Sequence, residues 1–112
     1  ASPMTQTFLN WAFMESDENL DRYNWSKIPK ETNVLLTHGP ALGHLDIGQP
    51  QDGHLGSKTL VNRIEKLKIP YVIHGHIHGS YGTKKTKDTT YVNCSVLNEE
   101  YNVVNQPIVL DV

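Results

Sequence analysis

The chain has one cysteine, Cys94, so it can form no internal disulfide. That favours a reducing compartment, and a cytoplasmic location is expected. No apolar run approaches the roughly 20 residues needed to span a bilayer, so no membrane partner is expected. The opening Ala1-Ser2-Pro3 has neither the basic nor the apolar stretch of a signal peptide. It also lacks methionine, which fits either removal of an initiator before a small residue or a start inside a longer protein. Charge of one sign is not in excess. A formal net charge of -2 does not suggest a general nucleic-acid or acidic-membrane binder. Internal repeats and low-complexity segments are absent.

What remains is an ordinary globular composition, 38% hydrophobic and 20% charged. The 112 residues suffice for one small domain but not two. Such a domain buries roughly 65% of the surface its unfolded chain exposes, enough for a modest core.

The apolar stretch from Thr7 to Met14 predicts a strand or its approach. Ser16 predicts the cap of a helix through Glu18, Leu20, Tyr23 and Trp25, stopped by Pro29. Asn33 to Thr37 is a short continuous apolar run, the pattern of a strand covered on both faces. Ser57 predicts the cap of a second helix, with Leu60, Val61, Ile64 and Leu67 at helical spacing and Pro70 beyond its end. Tyr71 to Ile73, Thr89 to Cys94 and Pro107 to Val112 predict further strands. Alternating strands and helices followed by strands predict a layered α/β domain.

Between the first two strand-to-helix crossings lies a long glycine-rich loop, His38 to Gly56. A loop of this length inside a small domain is usually functional or mobile. All six histidines (His38, His44, His54, His74, His76 and His78) fall in this loop or just past the next strand. Ligands in α/β sheets gather beyond the carboxyl ends of strands, so the exits at His38 and at His74 to His78 are expected to share one rim. Residues two apart in extended chain point the same way. His76 and His78 can therefore face one metal ion or two adjacent ones. Imidazole suits zinc, iron, manganese or nickel.

A single histidine after a strand is more often a hydrogen-bonded structural residue. On that footing His54 is expected on the loop surface and His74 buried at a strand end. Trp11, Phe13 and Trp25 are expected in the core.

Thr37-His38-Gly39-Pro40, then Gly43-His44-Leu45-Asp46, then Gly75-His76-Ile77-His78-Gly79-Ser80-Tyr81-Gly82 resemble the calcineurin-like metallophosphoesterases. Within these, the likeness is to the metallophosphoesterase-domain-containing group related to class III cyclic nucleotide phosphodiesterases. It extends through Asn10-Trp11-Ala12-Phe13 and Val92-Asn93-Cys94-Ser95. The resemblance implies that residues 1–112 are the C-terminal half of a domain whose fold is a four-layer α/β/β/α sandwich. It implies two divalent metal ions, with His38 and His76 on one and His78 on the other. His44 and Asp46 are then candidate catalytic contacts to the phosphate or leaving group. A phosphate ester is the implied substrate, a cyclic nucleotide among the candidates.

The family's aspartate-bearing and asparagine-histidine motifs do not occur in this sequence. The missing ligands are expected from an N-terminal half, in the same chain or another. The isolated chain is then expected to bind one metal weakly and to be nearly inactive. Two other readings stay open: a mononuclear site of three histidines, and a truncated, inactive homologue serving as a binding or regulatory module.

Overall fold

Ser57 opens the longer helix, α2 (Lys58–Leu67), by accepting the Leu60 amide on its hydroxyl at 3.0 Å. Leu60, Val61 and Ile64 fall on one face of that helix and are buried. Lys68 closes it in the left-handed conformation, with its N–H on carbonyls of the last turn. The shorter helix, α1 (Asp17–Tyr23), begins at Ser16, whose hydroxyl accepts the Asn19 amide. The Asp17 carboxylate joins the two helix starts. It accepts from the Ser57 hydroxyl at 2.5 Å and from the Thr59 amide at 3.0 Å. A negative charge at two helix N-termini is favourable for both. The helix expected to run on through Trp25 ends instead at Tyr23. Asn24 leaves helical geometry there, and Trp25–Lys27 form a 3₁₀ turn.

The computed structural model describes all residues from Ala1 to Val112. It is an α/β domain. Two short strands, β1 (Thr5–Gln6) and β2 (Met14–Glu15), pair with each other in parallel. The main sheet contains β3 (Val34–Leu36), β4 (Tyr71–His74), β5 (Gly82–Lys85) and β6 (Thr90–Asn93), in the order β3-β4-β6-β5. β3, β4 and β6 run in parallel, and β5 returns antiparallel to β6. No helix is long and apolar enough to cross a membrane.

Leu20, Trp25 and Ile28 pack with Leu60, Val61 and Ile64 of α2 against Leu35, Val72 and Tyr91 of the sheet. One helical layer therefore covers one sheet face. The other face is only partly covered, and Val34 and Leu36 of β3 are exposed on it. β3 is thus not the doubly covered strand its apolar run predicts. The run serves two faces, and this chain supplies a layer to only one of them.

One further expectation is narrowed and two are corrected. Of Thr7 to Met14, expected as a strand or its approach, only Met14 is in a strand; Thr7 to Phe13 turns between β1 and β2 and is the approach. Leu9 and Phe13 adopt positive φ there, and Phe8, Leu9, Trp11 and Phe13 are exposed. Of the aromatics expected in the core, only Trp25 is buried. Pro107 to Val112 pairs with no strand. Its approach and end are held by tyrosine hydroxyls, Tyr81 donating to the Gln106 carbonyl at 2.6 Å and Tyr71 to the Asp111 carbonyl at 3.2 Å. Conversely, β5 has no apolar alternation to announce it. It is a glycine, a threonine and two lysines on a sheet edge, where charge protects against pairing with other chains.

Ile64→Ala is expected to lower stability by about 2–5 kcal/mol, and Ser57→Ala by about 1 kcal/mol. Urea denaturation followed by circular dichroism measures both. Equal, negligible losses would contradict this account of the core.

Candidate metal centre

β3 and β4 are paired in register, Leu36 opposite Ile73, so their chains leave the sheet side by side at the same end. His38 stands two residues beyond β3 and His76 two beyond β4. The pairing continues past the strands, as the Gly75 amide donates to the His38 carbonyl at 3.2 Å. On the other side of His38, its amide donates to the Ser2 carbonyl. Gly39 lies against the Thr5 hydroxyl so closely that a Cβ there would collide with it. His76 has φ of +67°, a strained setting for a residue with a side chain.

The outcome is that His38 Nε2 and His76 Nδ1 face each other at 3.1 Å. Two imidazole nitrogens bonded to one zinc-like ion at 2.0–2.1 Å, on adjacent coordination positions, lie about 2.9–3.4 Å apart. The same separation suits an N–H···N hydrogen bond. The separation is thus compatible both with a direct hydrogen bond between the rings and with a shared ion. Burial pushes the His76 imidazole below its ordinary pKa, and the neighbouring His38, His78 and His74 push it further. Neutral imidazole is the form that binds metal.

His78 begins a 3₁₀ turn, His78–Ser80. Its Nδ1 donates to the Asn98 carbonyl at 3.1 Å. That fixes the tautomer and leaves Nε2 with a free lone pair, the arrangement in which histidines serve as metal ligands. The Tyr101 ring meets the His78 ring edge-on at 5.2 Å. No three side chains among the histidines, cysteine and carboxylates come close enough to hold one ion. His38 and His76 form a pair of facing rings, and His78 is held apart from it on the Asn98 carbonyl.

The remaining histidines have other tasks. His74 is buried, as expected. Burial lowers its pKa, although its Nδ1 donates to the Gly75 carbonyl at 3.2 Å. Its Nε2 lies near the His44 backbone without completing a hydrogen bond. His44 stacks flat on Tyr91, ring centroids 3.8 Å apart. Burial lowers the His44 pKa, and Lys84 adds to the effect. The Lys84 ammonium donates to the adjacent Gly43 carbonyl at 2.7 Å.

Asp46 is fully buried. Its carboxylate accepts the amides of Gly43 and Gly56, each at 2.9 Å, and His54 Nδ1 at 2.7 Å. These bonds close the loop at both ends. They commit both Asp46 oxygens to the loop. His54 is exposed, as expected, but it is tethered to this buried carboxylate rather than free.

Sequence reasoning missed Lys84, Asn98 and Asn93. Asn98 acts through its backbone carbonyl, which leaves no mark in a sequence. Asn93 had a signal: a carboxamide ending an apolar strand.

No protein-family model matches the chain. Over 111 residues it is 37% identical to Metallophosphoesterase domain-containing protein 1 of Homo sapiens, an alignment covering 98% of this chain and 34% of that protein. Over 106 residues it is 38% identical to UPF0046 protein T07D4.2 of Caenorhabditis elegans, covering 92% of this chain and 26% of that protein. An 83-residue stretch is 40% identical to part of Probable rhamnogalacturonate lyase C of Emericella nidulans, covering 7% of that protein. The chain thus spans about a third of the length of the first of these relatives and less of the others.

Burial alone would raise the Asp46 carboxyl. The His54 hydrogen bond and the Gly43 and Gly56 amides outweigh it and hold the group below the usual carboxylate range. A depressed folded pKa gives stability that is complete above the unfolded value near pH 4, and lost as pH falls through the folded one. Asp46→Asn is therefore expected to cost about 1–3 kcal/mol at neutral pH and to flatten the loss of stability below about pH 4. Urea unfolding across pH checks this, and an unchanged acid limb would refute it.

Proposed function

We propose that this chain, a member of the metallophosphoesterase domain-containing family, contributes His38, His76 and His78 to a site where divalent metal ions support hydrolysis of a phosphodiester. The observation that carries the reading is the facing pair of ring nitrogens, His38 Nε2 and His76 Nδ1, at 3.1 Å beyond two adjacent strands. His38 and His76 would hold one ion, and His78, oriented by the Asn98 carbonyl, would offer its Nε2 to a second. When bound, such ions polarise the phosphoryl group and bring the pKa of a bound water toward neutrality.

This chain's residues supply only part of such a site. Each of the three histidines enters neutral, so two divalent ions would face each other with no negative charge from this chain between them. Asp46 cannot serve as the bridge, since its oxygens are committed to the loop. The bridging carboxylate is assigned to the N-terminal part of the domain, in the same chain or a partner. The matched relatives have length to spare for such a part. His44 lies face-down on Tyr91 beside Lys84. It is retained as a substrate-side group, with Lys84, whose charge acts on His44, proposed to meet a phosphate oxygen. A cyclic nucleotide remains one candidate substrate, and the cytoplasm the proposed compartment.

The isolated chain is expected to retain about one zinc or manganese ion after equilibrium dialysis, by elemental analysis. His76→Ala should abolish that retention. Turnover of bis(4-nitrophenyl) phosphate by the chain alone should be marginal. In the complete domain, His38→Ala or His76→Ala is expected to lower kcat/KM at least about a hundredfold. Robust turnover by the 112-residue chain that survives a chelator would overturn the proposal.

A further inference from the structure

Asn93 ends β6 with a side chain completely shielded from solvent. Its carboxamide is fully engaged. Nδ2 donates to the Ile77 carbonyl at 2.6 Å and to the Leu45 carbonyl at 3.3 Å, while Oδ1 accepts the Ser95 amide at 3.0 Å. Ile77 separates His76 from His78, and its carbonyl belongs to the peptide unit that enters His78. Its own amide donates to the Gly75 carbonyl at 2.7 Å, which curls the turn tightly. The orientation of that peptide unit therefore sets the angle between the two histidine side chains. The second acceptor, the Leu45 carbonyl, lies between His44 and Asp46. One buried carboxamide thus spans the histidine turn and the loop closed by Asp46. Two neighbouring contacts follow the same line: Ser80 Oγ meets both the Ile47 amide and the Ile47 carbonyl, and Gly79 lies directly on the Gly48 carbonyl.

We propose that Asn93 is a positioning residue for metal binding, holding the Gly75–Gly79 turn so that His76 stays opposite His38 and His78 stays on its own side of the rim. The inference rests on the metal-site reading above. Asn93 touches no ligand nitrogen and acts only through the backbone between the two ligands. Without its two donors, the Leu45 carbonyl would lose its side-chain partner, and the Ile77 carbonyl would keep only the longer bond from the Ser80 amide at 3.3 Å. The turn would then rotate to find other partners. Loss of such outer support around metal-ligating histidines typically weakens metal affinity 10–100-fold.

The test is cobalt(II) titration of the full chain, read from the visible absorption of the bound ion, with the melting temperature of each metal-free protein measured alongside. Asn93→Leu keeps the volume and removes both donors. Asn93→Ser keeps a donor too short to span both carbonyls, and serves if the leucine variant does not fold. Ser57→Ala, which weakens the cap of α2 and removes none of the Asn93 hydrogen bonds, controls for instability alone. The expected result is a 10–100-fold loss of cobalt affinity in both Asn93 variants, with Ser57→Ala within about twofold of wild type. Wild-type affinity in the Asn93 variants overturns the inference and leaves the metal site standing. An equal loss in Ser57→Ala also overturns it, because the effect would then be one of stability. Wild-type chain that takes up no cobalt overturns the metal-site reading and this inference with it.

Discussion

Parallel pairing of β3 with β4 is the constraint from which the site follows. Parallel neighbours leave the sheet at the same end, so residues a fixed number past each strand meet. His38 and His76 stand at equal distances past paired positions, and their rings meet without a long loop having to fold back. The pairing itself depends on the helical layer. Leu35 and Val72 share the buried face under α2, and a slip of one residue would turn both toward solvent. The bite of the histidine pair is therefore a by-product of register. Register in turn is held by ordinary apolar burial some distance from the chemistry.

The loop that carries His44 is organised differently. Ala41, Leu42 and Leu45 pack on the core, and the rest of the loop is closed by charge-assisted hydrogen bonds. Asp46 draws the Gly43 and Gly56 amides and the His54 ring onto one carboxylate. Such bonds are roughly twice as strong as neutral ones. An acceptor buried this deeply is costly if any partner is lost. Asp17 does the same for the two helix starts. In both places one carboxylate fixes segments far apart in sequence, the task an apolar cluster performs elsewhere in the domain.

Much of this was legible in the sequence, and what was not has physical causes. Ser16 and Ser57 announced the helix starts because a cap needs a specific side chain at a specific position. The short apolar runs marked β3, β4 and β6. The aromatics from Thr7 to Met14 misled because hydrophobicity reports a wish for burial, not a conformation. With no layer against it, the segment turns outward. Strand β5 was silent for the opposite reason: an edge strand needs no apolar face. The histidine pair was legible as two exits bound for one rim. The division of His78 from that pair came only from the family resemblance, since the 3₁₀ turn and backbone carbonyl that orient His78 leave no side-chain pattern. The part Asp46 plays in closing the loop was not legible, because its hydrogen-bond partners come from both ends of that loop.

The exposed side of β3 and the charge imbalance at the rim have a common resolution on the proposed reading. Val34 and Leu36 need an apolar layer against them, and two ions held by neutral imidazoles need a carboxylate between them. A second sheet laid on the open face would bring its own strand ends to the same rim, because sheets packed face to face lie about 10 Å apart with strands roughly aligned. Carboxylates at those strand ends would reach the histidines across the gap. The burial that completes the fold and the charge that completes the site would then arrive together. Metal affinity and domain stability should therefore be coupled in the complete protein, and only loosely coupled in this chain alone.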